Sequence, residues 1–193
     1  MLKNQHPVPR SRAGKTAQNI VLLLFCAGAG LALDLVSKQW AWDALRPPTG
    51  HPRMIWAPIL ELSFAFNTGG AFGFLRGAGL GWPFFALMAA LAIVYMLVMT
   101  ARMPGADRLR FVALGLLISG ALGNLHDRLL RVDELGRHGV VDFIKINYPW
   151  GGSWPNFNVA DVALLVGAAL LLLSFYRGER ELRARRSHEH SDT

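Results

Sequence analysis

Apolar residues gather in four long runs, at 20–35, 83–100, 111–125 and 159–176, and charge and glycine return between them. Each run approaches the roughly 20 apolar residues that a helix needs to cross a bilayer, so the pattern predicts four spanning helices. A different period governs "ILELSFAFN". There Leu60, Leu62, Phe64 and Phe66 alternate with Glu61, Ser63, Ala65 and Asn67, and a period of two predicts a half-buried strand. The glycines of "NTGGAFG", which follows directly, permit tight turns and close backbone approach. A strand and glycine turn beside a membrane suit a rim over a site, and they equally suit an ordinary hairpin that stabilises a loop.

Composition agrees with the spans. The chain has 193 residues, one domain's worth, and 52% of them are hydrophobic, too many for a soluble domain of that size. The formal net charge is +7, but the basic residues stand beside the apolar runs rather than on a separate basic domain, so they speak for orientation and not for nucleic acid. Lys3, Arg10, Arg12 and Lys15 precede the first run. Arg102, Arg108 and Arg110 crowd the link between the second and third. Arg177, Arg180, Arg183, Arg185 and Arg186 follow the fourth. The positive-inside rule then puts both termini in the cytoplasm and turns the connections 36–82 and 126–158 outward.

The ends of the chain extend this picture. Residues 1–18 read as a basic cytoplasmic N-terminus, and 177–193 as a polar, disordered cytoplasmic tail whose His188 and His190 are solvated. "AGA" at 27–29 faintly resembles a cleavage site, but the apolar run continues through it to Asp34, which favours an uncleaved span. The single cysteine, Cys26, excludes an internal disulfide framework. Bulky Phe25 before it argues against lipidation there.

Polar groups at the edges of such runs need a reason. In "NFNVADVALLVGAALLLLSFY" Asn158 and Asp161 occupy the first turns. An Asp at the centre of a membrane helix costs roughly 2.5 to 3.5 kcal/mol and marks a site by default, whereas a carboxylate at a helix N-terminus is favoured by the macrodipole and caps free N–H groups. Both readings stand. In the third run, which ends in "SGALGNLHDRLL", the glycines Gly115, Gly120 and Gly123 allow close helix packing, and Asn124, Asp127 and Arg128 share one helical face. A local Asp127–Arg128 pair in a structural role is the simpler expectation. Asp34 and Lys38, four apart, read as a helix-end ion pair that pins the first span.

"GVVDFIKI" carries Asp142 between Val141 and Phe143, with no basic residue within two positions. A lone carboxylate in an apolar setting must be paired, protonated or functional. Its obvious partner is Asp161. Two facing carboxylates do not both ionise easily, so one takes a proton from water while the other polarises a carbonyl, which is amide hydrolysis without metal or covalent intermediate. Rival chemistries lack their parts: no "GxSxG" and no "HExxH" occurs. A carboxylate-gated carrier predicts acidic groups deep in the spans, and a lipoprotein assembly factor would bind without cutting.

Four motifs in order, "FNTGGAFGFL", "GALGNLHDRL", "VVDF" and "FNVAD", together resemble the lipoprotein signal peptidase (signal peptidase II) family, from Asp34 to the fourth span. The resemblance implies an all-α membrane protein of four transmembrane helices with a small extracytoplasmic β-sheet cradling the site. It implies an aspartic endopeptidase of the bacterial inner membrane that needs no cofactor or metal. Such an enzyme cuts prolipoproteins before a cysteine already carrying diacylglyceryl. Its partners are then those substrates and membrane lipid, with the chain acting as a monomer. Matched motif to motif, the catalytic pair falls on Asp142 and Asp161, the substrate-side loop on Asn67 and Gly69, and polar site residues on Asn124, Arg128 and Asn158. Asp34 and Lys38 match a structural pair. The sequence departs from the family pattern at Gly70, where Ala is usual, at Val162, where Ser is common, and in a longer "LLRVDELGRHG" before "VVDF".

Overall fold

The computed structural model describes residues 12–68, 81–101 and 107–191. Four helices long and apolar enough to cross a membrane form a bundle: α1 (Arg12–Ala44), α2 (Gly81–Ala101), α3 (Arg108–Leu130) and α4 (Val159–Ser191). They overlap the four apolar runs, and each is longer than its run at one or both ends. The largest difference lies at the C-terminus, where the segment expected to be disordered continues α4 to Ser191. An i,i+4 pair of Glu179 and Arg183, 3.7 Å apart, is of the kind that supports an exposed helix.

α3 is the central helix and packs on each of the other three. Its small residues make this possible: a Cβ on Gly115 would lie 2.7 Å from the Leu23 carbonyl oxygen of α1, and one on Gly120 would lie 2.5 Å from the Ala160 carbonyl oxygen of α4. Leu23, Met96, Phe111, Leu114, Ile118 and Ala121 close a core between α1, α2 and α3. The outward faces stay apolar, with Leu24, Phe25, Leu91, Val94, Leu165 and Leu172 all exposed, a surface suited to hydrocarbon rather than water.

One end of the bundle carries an antiparallel sheet of three strands in the order β1 (Arg53–Trp56), β2 (Leu60–Asn67), β3 (Val140–Ile146). The predicted alternation holds, since Leu62, Phe64 and Phe66 of β2 pack with Val141 and Phe143 of β3 against Ala41, Trp42 and Leu45 at the end of α1. The rings of Phe64 and Phe66 meet Trp42 edge-on at 5.7 and 5.6 Å. The strand's other face is not left to solvent as a half-buried strand would leave it. Ser63 is buried because the Asn156 amide donates to its carbonyl and hydroxyl oxygens, both at 3.0 Å.

The long connection between α3 and β3 closes on itself. Val132 bridges His138, Gly136 turns with φ of 72°, and the Asp133 carboxylate accepts from the backbone N–H groups of Leu135 and Arg137. Arg46, just beyond α1, ties this loop down through Glu134 at 2.8 Å.

Candidate active site

Strand periodicity aims Asp142. Val141 and Phe143 point into the core beneath the sheet, so Asp142 between them faces the opposite way. It lies opposite Ala65 in the β2–β3 register, and Asn67, two residues further along β2, falls on the same face. The Asn67 amide donates to Asp142 Oδ2 at 3.0 Å.

Helix capping aims Asp161. Asn158 is the residue before α4, and its Oδ1 accepts from the Asp161 backbone N–H at 3.0 Å; in return Asp161 Oδ2 accepts from the Asn158 backbone N–H at 3.2 Å. This is a reciprocal capping box built from Asn and Asp. Asp34 satisfies another free donor of that first turn, accepting from the Ala160 N–H at 2.8 Å. The capping reading of Asp161 is therefore correct as far as Oδ2 is concerned. Oδ1 is left for something else.

That oxygen accepts from the Asn124 amide at 2.9 Å. Asn158 Nδ2 donates to Asp142 Oδ1 at 2.7 Å and to Asn124 Oδ1 at 3.2 Å. A continuous amide network thus runs from Asn67 through Asp142, Asn158 and Asn124 to Asp161, joining β2, β3, α3 and α4. Asp142 is only 4% exposed. Burial, followed by the neighbouring Asp161 carboxylate, pushes its carboxyl from 3.8 up to about 7, against the opposing pull of the Asn67 and Asn158 amides and the Lys38 charge.

Arg128 donates to the Asn124 carbonyl oxygen at 3.1 Å and lies over the Phe85 ring of α2 at 5.5 Å. Its expected pairing with Asp127 is not made. Successive helix residues diverge by about 100°, and Asp127 turns instead toward Arg131 at 2.8 Å, Lys38 at 3.8 Å and the Val141 N–H at 3.1 Å. Asp34 and Lys38 do form the expected pair, 2.7 Å apart and wholly buried. Gly123 leaves room for it, because a Cβ there would collide with the Asp34 carboxylate. Lys38 also donates to Asn124 Oδ1 at 2.8 Å. No local spacing in the sequence signals that link to the site, because it joins residues 86 positions apart. Gly69 and Gly70 lie outside the described residues. Val162 is exposed on α4, away from these contacts.

A family description, signal peptidase (SPase) II, matches residues 26–177. The lipoprotein signal peptidase of Hydrogenovibrio crunogenus is 36% identical over 164 residues, covering 83% of this chain and 88% of that one. The one from Serratia proteamaculans is 40% identical over 148 residues, covering 74% and 79%. A bacterial membrane enzyme structure determined by the in meso method at 2.3 Å superposes with a TM-score of 0.64 at 27% identity, covering 83% of this chain and 88% of that one. With the fold, the spans and the matched region in agreement, this chain belongs to the signal peptidase II family of membrane peptidases.

Proposed function

We propose that this chain is an aspartyl endopeptidase that removes the signal peptide from diacylglyceryl-modified prolipoproteins, cutting before the lipidated cysteine with Asp142 and Asp161 as its catalytic pair. Family membership and relatives named lipoprotein signal peptidase support the substrate class. The observation that carries the chemistry is the pair itself: two carboxyl groups from different elements, tied into one amide network, with Asp142 pushed up to about 7 by burial and by Asp161.

Asp142 holds the proton and Asp161 is the base. Asp161 removes a proton from water, the oxygen adds to the scissile carbonyl carbon, and the Asp142 proton passes to the carbonyl oxygen, giving a neutral gem-diol. Asp161 then delivers its proton to the departing amide nitrogen as the C–N bond breaks. One hydroxyl of the diol returns its proton to Asp142, which leaves a carboxylic acid, an amine and the starting enzyme. Asn67, Asn124 and Asn158 hold the two carboxyl groups in position, and Arg128, whose charge acts on both, lines the same region. The basic flanks of the spans support a position in the bacterial inner membrane with cytoplasmic termini and the sheet-bearing end facing outward. There a lipid anchor confines the substrate to the membrane plane, and a monomer suffices.

The test is cleavage of a diacylglyceryl-modified prolipoprotein by purified protein in detergent with EDTA present. Cleavage by the wild type and none by folded Asp142→Asn is the expected result. A folded wild type that binds without cutting would return the weight to an assembly factor, and ion flux across vesicles would indicate a carrier.

A further inference from the structure

The two ends of an asparagine amide have nearly the same shape, and their partners decide which way each faces. Around the aspartate pair, two groups that only donate settle the matter. The Asp161 backbone N–H requires the oxygen of Asn158, at 3.0 Å, which turns Asn158 Nδ2 toward Asp142. The Lys38 ammonium requires the oxygen of Asn124, at 2.8 Å, which turns Asn124 Nδ2 toward Asp161 Oδ1. We propose that Lys38 is a positioning residue for the catalytic pair: its ammonium fixes the polarity of the Asn124 amide, so that Asp161 is met by a donor and is kept as the base. This rests on the peptidase reading above and adds to it a role for a residue outside the pair.

Charge points the same way. The groups that face this cluster are Asp34 and Lys38 from α1, Asp127, Arg128 and Arg131 from α3, Asp142 from β3 and Asp161 from α4, with partly exposed His126 beside Asp127 at 3.3 Å. Lys38, Arg128 and Arg131 balance Asp34, Asp127 and one ionised member of the pair. Without Lys38 the balance calls for one more proton in the cluster, for which Asp34, deprived of its cation, and the pair compete, so a smaller share of the protein keeps its base. Without Lys38, Asn124 is also free to turn its oxygen toward Asp161, restrained only by the longer 3.2 Å contact from Asn158. Both effects disable the same step.

The experiment measures kcat, KM and the pH–rate profile on a diacylglyceryl-modified prolipoprotein in detergent for the wild type, Lys38→Met and Lys38→Gln. Lys38→Met removes donor and charge; Lys38→Gln keeps an N–H donor and leaves Asp34 a partner. The expected result is a kcat at least about tenfold lower for Lys38→Met and intermediate for Lys38→Gln, with KM within about twofold and the acidic limb of both variants moved up by about one pH unit. Should Lys38→Met fail to fold, the profile of Lys38→Gln decides. An unmoved acidic limb, with activity lost only in proportion to folded protein, overturns the inference while leaving the peptidase reading intact. A folded wild type that does not cleave removes that reading and this inference together.

Discussion

Two pairs of aspartates lie side by side at the sheet-bearing end of the bundle, Asp34, Asp127 and Asp142 buried and Asp161 partly so, and their partners differ in kind. Asp34 and Asp127 are bound by cations, Lys38 for both and Arg131 for Asp127, with a backbone N–H completing each. Among the described residues, Asp142 and Asp161 accept hydrogen bonds only from amides, those of Asn67, Asn124 and Asn158. An amide fixes position without cancelling charge. The first pair is therefore tied directly to cations, whereas in the second no cation among the described residues touches the carboxyl groups, and burial and the Asp161 carboxylate raise Asp142 in spite of the more distant Lys38 charge. The same residue type serves as a brace in one place and, on the proposed mechanism, as acid and base in the other.

Activity breaks the comparison most sharply. Asp161→Asn removes the proposed base but keeps an acceptor for the cap, and cleavage is expected to fall by about a thousandfold or more with the protein still folded. In the wild type the proposed mechanism predicts a rate that falls on both sides of an optimum, because water activation requires one free carboxylate and carbonyl protonation requires the other to hold its proton. The alkaline limb is expected near pH 7, where Asp142 loses its proton. A flat initial-rate profile from pH 5 to 9 under single-turnover conditions would remove the shared proton from the mechanism.

On the bracing side the loss is in stability. Asp127→Asn leaves Arg131 and Lys38 short of an anion at a position where Asp127 and Lys38 are wholly buried. Breaking a buried ion pair from one side costs about 3 to 5 kcal/mol, so thermal unfolding in detergent is expected to move down by several degrees. An unchanged midpoint would mean that the cation cluster braces nothing.

The same substitution chemistry at the other pair reverses sign. Asp142 has a folded value of about 7 against an ordinary 3.8, so the folded state binds the proton more tightly. Its contribution is fully present below 3.8 and is lost as pH rises to 7. Asp142→Asn removes that penalty, and the variant is expected to be the more stable protein at pH 8, by up to about 4 kcal/mol, and no more stable at pH 4. Melting midpoints of the two proteins at both pH values test this; a gap that does not widen with pH contradicts it.

The sequence carried the spans because length and apolarity act locally, and it carried β2 through its alternation. It also singled out Asp142 and Asp161, which one amide network joins, because an unpaired carboxylate in "VVDF" has nothing local to neutralise it. β1 escaped because all four of its residues are exposed, so no core face imposes a period on them. The Asp127–Arg128 expectation failed for the opposite reason: adjacency in sequence is not adjacency on a helix. Lys38 read correctly as the partner of Asp34, but its second bond to Asn124 depends on how α1 and α3 are packed, which no local pattern records. What sequence spacing cannot carry is the contact between elements.

Exposure supplies the last and smallest contrast. The Arg46–Glu134 pair at 2.8 Å is geometrically as good as Lys38–Asp34 at 2.7 Å, yet the Glu134 side chain is 80% exposed. Water already solvates that carboxylate, so neutralising it strands no buried charge and relieves no desolvation. Glu134→Gln is expected to change stability by less than about 0.5 kcal/mol, and the closed loop survives because Asp133, not Glu134, supplies its internal hydrogen bonds. Cleavage kinetics then separate two roles for this longer connection. If Glu134→Gln leaves stability alone but alters KM for the lipidated substrate, the loop belongs to the substrate path; unchanged KM makes the tie to Arg46 a surface contact of no catalytic consequence.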